Sequence, residues 1–278
     1  MKKLNIKSIA AVMFIGVALS SCQKDFDPSS YAPPLNIGGF TNPKEVAPAN
    51  LVAHWAFDGT LKDSISGTAG TATGTSFGKG IKGQSLQGAL SSYVIAEPSA
   101  EIKNLKSFTI TEWINTPPPS TGIIGIFSLA NTTQFWGNID IFIENGSTND
   151  DGKLRIHIFN GTGDKTYEVN GVKGLFDKWV NVGVSYSEAS SVVKVYVNGT
   201  GVSSGTVAEL TGPLKFANIG NLVFGCVQFQ TDPSQTSATG KQDWASYLTG
   251  QLDEIRVYNK LLTDGEVNAI VKLEGRGK

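Results

Sequence analysis

The sequence predicts an all-β fold with one large core. Short runs rich in β-branched and aromatic residues recur between turn residues, which is typical of strands. They are Ser107–Asn115, Asn138–Glu144, Lys153–Phe159, Trp179–Tyr186, Val192–Val197 and Gly250–Tyr258. Asn-Gly pairs, which favour tight hairpin turns, occur at Asn145-Gly146, Asn160-Gly161, Asn170-Gly171 and Asn198-Gly199. Together these signals predict a sandwich of antiparallel strands.

A single helix is predicted, close to the C-terminus. Thr263 and Glu266 have the spacing of a capping box, in which each side chain satisfies a backbone amide at the start of a helix. Val267, Ile270 and Val271 then recur on one helical face. We expect this helix to pack as a short lid on the sandwich.

The N-terminal residues predict an exported lipoprotein. Three lysines precede the apolar run Ile9–Leu19, which is too short to cross a bilayer, since a spanning helix needs about 20 apolar residues. The segment Leu19–Cys22 resembles a bacterial lipobox. That resemblance implies that residues 1–21 are a signal peptide and that the Cys22 thiol, a nucleophile, receives the lipid. The lipid would be the only attachment to a membrane.

The residues after Cys22 predict a tether and a cellular location. Gln23-Lys24-Asp25-Phe26-Asp27 is similar to the export signal of Bacteroidetes surface lipoproteins, although Phe26 interrupts its acidic pair. It implies an outer-membrane lipoprotein that faces the cell exterior, with a periplasmic orientation as the alternative. Five prolines scattered through residues 22–49 predict a flexible tether, which leaves residues 50–278 as the folded domain.

Charge and cysteine content exclude some functions. Removal of residues 1–21 takes away three of the 23 basic residues against 24 acidic ones, so the mature chain has a net charge of −4. Nucleic acid is therefore not an expected partner, because phosphate binding requires basic clusters. After Cys22 only Cys226 remains, so no internal disulfide can form, and its apolar surroundings predict a small buried hydrophobe.

Several segments together resemble a laminin-G-like, concanavalin A-like domain, and they follow the order of that family. They are Leu51–Gly59 with Leu61–Asp63, Gly80–Leu86, Phe108–Ile114, Trp179–Val182, Val195–Gly199 and Gly250–Asn259 with Leu262 and Glu266. The resemblance implies a jelly roll of two stacked antiparallel sheets. It also assigns Trp55, Trp113 and Trp179 to packing positions.

No catalytic residue is predicted. Retaining glucanases of related fold use a Glu-x-Asp-x-x-Glu strand, because double displacement needs two carboxyl groups about 5 to 5.5 Å apart. That string is absent here, and Asp140 and Glu144 on one strand face would be about 13 Å apart. An acid pair drawn from different strands, for example with Glu112, stays open. His54 and His157 are the only histidines, which excludes a clustered histidine metal site.

Alternation in two predicted strands indicates a binding surface. Isoleucines occupy one face of the first strand, and Asp140, Phe142 and Glu144 occupy the other. The next strand repeats the pattern, with Arg155, His157 and Phe159 on its polar face. Flat rings stack on sugar C–H faces, and charged groups bind sugar hydroxyls. The alternative is a solvated sheet face in which Arg155 pairs with an acid.

Aromatic residues outside these strands are further ligand candidates. Trp136, next to Phe135, precedes the first strand, and Trp244 and Tyr247 lie at the end of a polar stretch. The family resemblance also places Asp253 beside the strand that carries Asp58 and the Gly59 carbonyl, and such oxygen ligands suit a structural Ca²⁺ ion. The alternative is that Asp58 caps a turn and Asp253 pairs locally.

Three functions compete at this point. The first is a non-catalytic, surface-exposed lipoprotein that captures glycan for neighbouring enzymes or importers. The second is an adhesion or protein-interaction module that uses the same sandwich. A glycoside hydrolase whose acids come from different strands is the third. The fold itself does not decide between them, because sandwiches of this kind host all three.

Overall fold

The computed structural model describes residues 35–277. From residue 36 onward the described residues belong to one unit. The predicted signal peptide, the lipidation site Cys22 and the export signal lie outside the described residues. Within the described part, no helix is both long and apolar enough to cross a membrane. The unit contains two eight-stranded sheets.

One sheet, named the back sheet here, contains the strands that begin and end the domain. Its strands, numbered in chain order over both sheets, are β1 (Leu51–Trp55), β3 (Ser76–Lys79), β4 (Gln84–Gln87), β6 (Phe108–Asn115), β11 (Val180–Ser187), β12 (Val192–Val197), β13 (Thr200–Thr206) and β16 (Gln251–Tyr258). They follow the spatial order β13-β12-β11-β6-β16-β4-β3, and β1 also pairs with β16.

The other sheet, the front sheet, contains β2 (Thr71–Thr73), β5 (Tyr93–Ala96), β7 (Ile123–Asn131), β8 (Ile139–Ile143), β9 (Gly152–Phe159), β10 (Asp164–Val172), β14 (Ile219–Phe224) and β15 (Ala245–Ser246). Its strands follow the spatial order β10-β9-β8-β7-β14-β5-β2. The two-residue strand β15 pairs in parallel with β7, and every other pairing is antiparallel.

The predicted strands are confirmed to within one residue at each end. Three of the four Asn-Gly pairs lie between paired strands, and the predicted tight turn is confirmed at Asn198-Gly199, which alone joins β12 to β13. The connections that contain the other two pairs are longer, residues 144–151 between β8 and β9 and residues 160–163 between β9 and β10. Asn198 and Gly199 both have positive φ, as a tight hairpin turn requires. Asn170-Gly171 differs, because it lies inside β10 at an irregularity of pairing with β9.

The main core lies between the sheets and is built from the apolar face of each strand. Ile139, Ile141 and Ile143 of β8 are fully buried in it, and Leu154 and Ile156 of β9 pack beside them. β-branched side chains suit this pleated, buried surface. Trp55 belongs to the same core, as predicted, and buried Cys226 packs elsewhere among apolar residues.

The C-terminal helix Asp264–Glu274 covers the outer face of the back sheet. Thr263 and Glu266 form the predicted capping box. Val267, Ile270 and Val271 are buried against Trp113 of the back sheet, and Trp179 packs at the edge of the same cluster. Besides this helix, the described chain has one helical turn, Ala100–Lys103, and the 3-10 turns Pro43–Glu45, Pro48–Asn50 and Gln228–Gln230.

The folded unit starts upstream of the predicted boundary at residue 50. Residues 36–49, which the sequence analysis assigned to the tether, pack beside the C-terminal helix. Val46 is fully buried there, and Ile37 and Phe40 pack against the same cluster. The prolines in this stretch begin two 3-10 turns, so they shape a packed segment. The rest of the predicted tether, residues 22–34, lies outside the described residues.

A candidate ligand-binding groove on the front sheet

An open groove of about 230 Å³ lies on the outer face of the front sheet. Its floor comes from β8, β9 and β10, whose alternation turns isoleucines and a leucine inward and polar or aromatic side chains outward. The segment before β15 forms a wall. The lining residues are Ile123, Trp136, Phe142, Glu144, Arg155, His157, Thr166, Glu168 and Trp244.

Strand register aligns the floor residues in two rows across the three strands. In one row Phe142 pairs with Arg155, and Arg155 pairs with Glu168. The other row places Asp140 beside His157 in the same way, with Thr166 completing it. Directly opposed residues have Cβ atoms about 5 Å apart, so each row presents a continuous strip of side chains.

The aromatic part of the groove is a packed cluster of rings. Trp136 stacks parallel to Phe142 with ring centroids 5.1 Å apart, and its ring lies 4.1 Å from that of His157. Trp244 stacks on Phe135 at 6.0 Å and is 44% exposed, the most exposed of these rings. This packing fixes the orientation of the rings while one face of Trp244 stays available to a ligand.

The charged part of the groove is centred on Arg155. Its Nε lies 3.4 Å from Glu144 Oε2, and its Nη2 lies 3.9 Å from Glu168 Oε2. Nη1 donates to the carbonyl of Leu154 and to Asn170 Oδ1, both at 3.0 Å. The carbonyl of Val169 also accepts from Nη1 at 3.5 Å, and together these contacts hold the guanidinium in place.

Asp140 lies beneath the groove and does not line it. Its side chain is fully buried and accepts hydrogen bonds from the Ser128 hydroxyl and from the Gly137 amide. Burial raises the pKa of Asp140 to about 6, although these hydrogen bonds oppose the shift. The neighbouring His157 is held by a 2.7 Å contact between its Nδ1 and Asp164 Oδ2.

Of the nine predicted ligand residues, six share this groove: Trp136, Phe142, Glu144, Arg155, His157 and Trp244. Asp140 is buried below the floor, and Phe159 is buried on β9 outside the lining. Tyr247 lines a separate cavity of about 210 Å³ beside Pro117–Pro119, and its hydroxyl donates to the Gln230 carbonyl. Sequence reasoning missed Ile123, Thr166 and Glu168.

The predicted calcium ligands contact one turn, Gly80–Gln84. Asp58 Oδ1 accepts the Gln84 amide at 2.7 Å, and Asp253 Oδ2 accepts the Lys82 amide at 3.2 Å. Asp253 Oδ1 accepts the Glu254 amide, and burial raises the pKa of Asp253 to about 8. Residues 35–277 contain no group of three or more His, Cys, Asp or Glu side chains that could hold a metal ion. Both acids accept backbone amides of this turn, and the predicted calcium ion at Asp58, the Gly59 carbonyl and Asp253 stays a prediction.

Glu112, the suggested partner of a catalytic acid pair, lies in the other sheet. It is fully buried on β6, on the face that carries Phe108, Ile110 and Ile114 into the core between the sheets. Neither carboxylate oxygen has a hydrogen-bond partner. Glu112 therefore does not reach the groove that holds Glu144.

A family model described as the concanavalin A-like lectin/glucanases superfamily matches residues 86–268. The chain belongs to this superfamily. Its two stacked sheets and single C-terminal helix agree with that assignment, and the predicted fold class is confirmed. Curated protein sequences gave no significant match.

Solved structures of this fold resemble the chain at low identity, which shows the fold alone. The binding domain of botulinum neurotoxin DC in complex with rat synaptotagmin II is 15% identical, with a TM-score of 0.59 over 82% of this chain and 52% of that one. Domain 4 of AbnA, a GH43 arabinanase from Geobacillus stearothermophilus in complex with arabinotriose, is 19% identical, with a TM-score of 0.54. That match covers 80% of this chain and 98% of the AbnA domain.

A third similar structure is the binding domain of botulinum neurotoxin DC in complex with SialylT, at 14% identity and a TM-score of 0.57. This match covers 83% of the present chain and 52% of the toxin domain. The chain thus spans about half the length of the neurotoxin domains that it resembles.

Proposed function

We propose that the protein is a non-catalytic glycan-binding module, tethered through a lipid on Cys22 to the outer membrane and facing the cell exterior. The observation that carries the binding role is the groove on the front sheet, where exposed Trp244 and ordered Trp136 stand beside Glu144 and Arg155. Such a groove offers both ring stacking and hydrogen bonding to a sugar. Complexes of similar domains with arabinotriose and SialylT support a carbohydrate as the ligand.

The absence of catalysis rests on where the carboxyl groups lie. Glu112 and Asp140 are fully buried in different sheets, and the two glutamates that line the groove, Glu144 and Glu168, both lie against Arg155. Glycoside hydrolysis requires two carboxyl groups that flank a bound sugar. We therefore expect the purified protein to release no reducing sugar from any glycan that it binds.

A glycan array tests the binding role. Purified residues 23–278 should bind at least one glycan class, and Trp244→Ala should lose that binding because it removes the exposed ring. Phe77→Ala is the matched control, since Phe77 is an exposed aromatic residue on the back sheet, 38% accessible. Absence of glycan binding by the unaltered protein would contradict the proposal and favour the protein-interaction module.

The lipid anchor and the calcium ion are tested separately. Labelling with a radioactive fatty acid in a bacterial host should mark the wild-type chain and leave Cys22→Ala unlabelled. A structural Ca²⁺ ion at Asp58, the Gly59 carbonyl and Asp253 stays a prediction. If it is present, chelation lowers the melting temperature, because bound ions stabilise the folded state by mass action. An unchanged melting temperature would leave the two acids with their turn-fixing role alone.

A further inference from the structure

The charges around the groove carry an inference about the class of glycan, and this inference rests on the proposed function. Glu144 and Glu168 line the groove with one fixed cation, Arg155. The carboxylate of Asp164 adjoins the His157 ring. Its negative charge cancels the positive charge of a protonated ring, and beside a neutral ring it adds to the negative charge of the groove. The groove is therefore negative in either protonation state of His157.

The single arginine is not free to receive an anion. Its side chain is only 13% exposed, and each of its three nitrogens already faces an acceptor from Glu144, Glu168, Leu154 or Asn170. The glutamates are more accessible, at 35% and 59% of their side-chain surface. An incoming ligand thus meets carboxylates first, and within the described chain no lysine lines the groove.

We infer that the groove selects uncharged oligosaccharides and rejects those that carry carboxylate or sulfate groups. Carboxylates accept hydrogen bonds from sugar hydroxyls, and a neutral sugar supplies such donors without charge repulsion. An anionic sugar would have to displace Glu144 or Glu168 from Arg155 and would remain close to the displaced carboxylate. Specificity of this kind arises from a repulsive element as well as from attractive contacts.

The test compares glycan pairs that share a backbone and differ in charge. Suitable pairs are galactan with sulfated galactan, mannan with polymannuronate, and glucan with polyglucuronate, measured by calorimetry at low salt. The uncharged member of a recognised pair should bind about tenfold more tightly, a difference of about 1.4 kcal/mol. Raising the ionic strength should reduce this difference in affinity between the uncharged and the charged glycan, because salt screens exposed charges.

Variants locate the repulsion. In the double variant Glu144→Gln with Glu168→Gln, the uncharged glycan should bind only about threefold more tightly than the charged one, or less. The reason is that the carboxylates that repel the anion are gone. The control variant Glu97→Gln with Glu101→Gln removes the same charge from exposed positions at or near the helical turn Ala100–Lys103. It should leave the affinity difference between the two glycans unchanged. Should the groove variant fail to fold, the paired affinities and the salt series of the wild type decide the question.

The outcomes separate this inference from the proposed function. Equal or tighter binding of the charged member of a pair overturns the inference and leaves the glycan-binding role intact. Binding to neither member of any pair, with no signal on a wider array, overturns the glycan-binding role itself.

Discussion

Glu112 is a carboxyl group buried in the apolar core with no hydrogen-bond partner for either oxygen. Burial raises its pKa to about 8, because an ionised carboxylate is costly in an apolar environment. The folded protein therefore keeps this group protonated at pH values where the unfolded chain, with a pKa near 4.5, has released the proton. The side chain is thus compatible with the core chiefly in its neutral form.

This residue predicts a pH dependence of stability. Since the folded state binds the proton more tightly, the contribution of Glu112 is most favourable below pH 4.5 and falls as pH rises toward about 8. Glu112→Gln mimics the protonated acid, so its stability relative to wild type should increase over that range by up to about 5 kcal/mol. Urea unfolding at pH 5 and pH 9 measures the difference.

The control for this prediction is Glu97→Gln, an exposed residue whose substitution should change stability by less than about 0.5 kcal/mol at either pH. A constant difference between wild type and Glu112→Gln across the range would show that Glu112 has the same pKa in both states.

The position of a site residue could be predicted from the sequence where a local signal, such as strand alternation, determines it. Strand alternation placed Phe142, Glu144, Arg155 and His157 on one face, and the groove contains all four. The same rule put Asp140 on that face, but the structure buries its carboxylate, which accepts hydrogen bonds from the Gly137 amide and the Ser128 hydroxyl. Strand alternation predicts which face of the sheet a side chain points to. Its burial depends on the residues from other parts of the chain that pack over that face.

The segment that carries Trp244 is held to β7 at a close approach. Ile123 of β7 donates to the Trp244 carbonyl at 3.1 Å, and β15 then continues as a parallel strand beside it. A Cβ on Gly122 would lie 2.5 Å from that carbonyl oxygen, so only glycine fits there without displacing the backbone. The position of Trp244 in the groove depends on this contact.

We predict that Gly122→Ala destabilises the protein by about 1 to 3 kcal/mol, the usual cost of forcing atoms into a packed region. It should also weaken glycan binding, because the wall residue Trp244 moves with the displaced backbone. Thermal unfolding and calorimetry measure the two effects. Gly240→Ala is the control, since its Cβ would have no neighbour within 4 Å. Equal behaviour of the two variants would argue against a fixed Trp244 segment.

At the level of elements, the strands were easier to predict than the groove walls. Hydrophobic alternation and turn residues are local signals, so the bounds of the central strands followed from the sequence. The edge strand β10, which supplies Thr166 and Glu168, was missed because its outer face is polar and its burial pattern is weak. The rings of Phe229 and Trp244 pack edge to face. Contacts of this kind between loop residues are not predicted by any periodicity of the sequence.

A buried ionic network joins the two ends of the domain. Arg256 of β16 donates to Glu274 of the C-terminal helix at 2.5 Å and to Glu254 at 2.7 Å. Glu254 in turn contacts His54 of β1 at 2.9 Å. Although burial alone would raise it, the hydrogen bond with His54 and the charge of Arg256 lower the pKa of Glu254 to about 2. These buried ion pairs therefore connect the first strand, the last strand and the C-terminal helix to one another.

We predict that Arg256→Met destabilises the whole domain by about 3 to 5 kcal/mol, because it leaves Glu254 and Glu274 buried without a compensating charge. Urea unfolding monitored by circular dichroism measures this change. The control Lys103→Met breaks an exposed pair with Glu97 and should cost less than about 1 kcal/mol. A small effect of Arg256→Met would mean that water or a shifted side chain replaces the network.

Glycan binding in the groove on the front sheet can be tested through the five tryptophans of the chain. Each indole N–H gives one signal in a ¹⁵N-correlated NMR spectrum, assigned by substituting each Trp with Phe. On titration with an uncharged oligosaccharide identified on the array, we predict shifts for Trp136 and Trp244 alone. Shifts confined to Trp55, Trp113 or Trp179, which pack in the core or against the C-terminal helix, would show that the glycan does not bind in this groove.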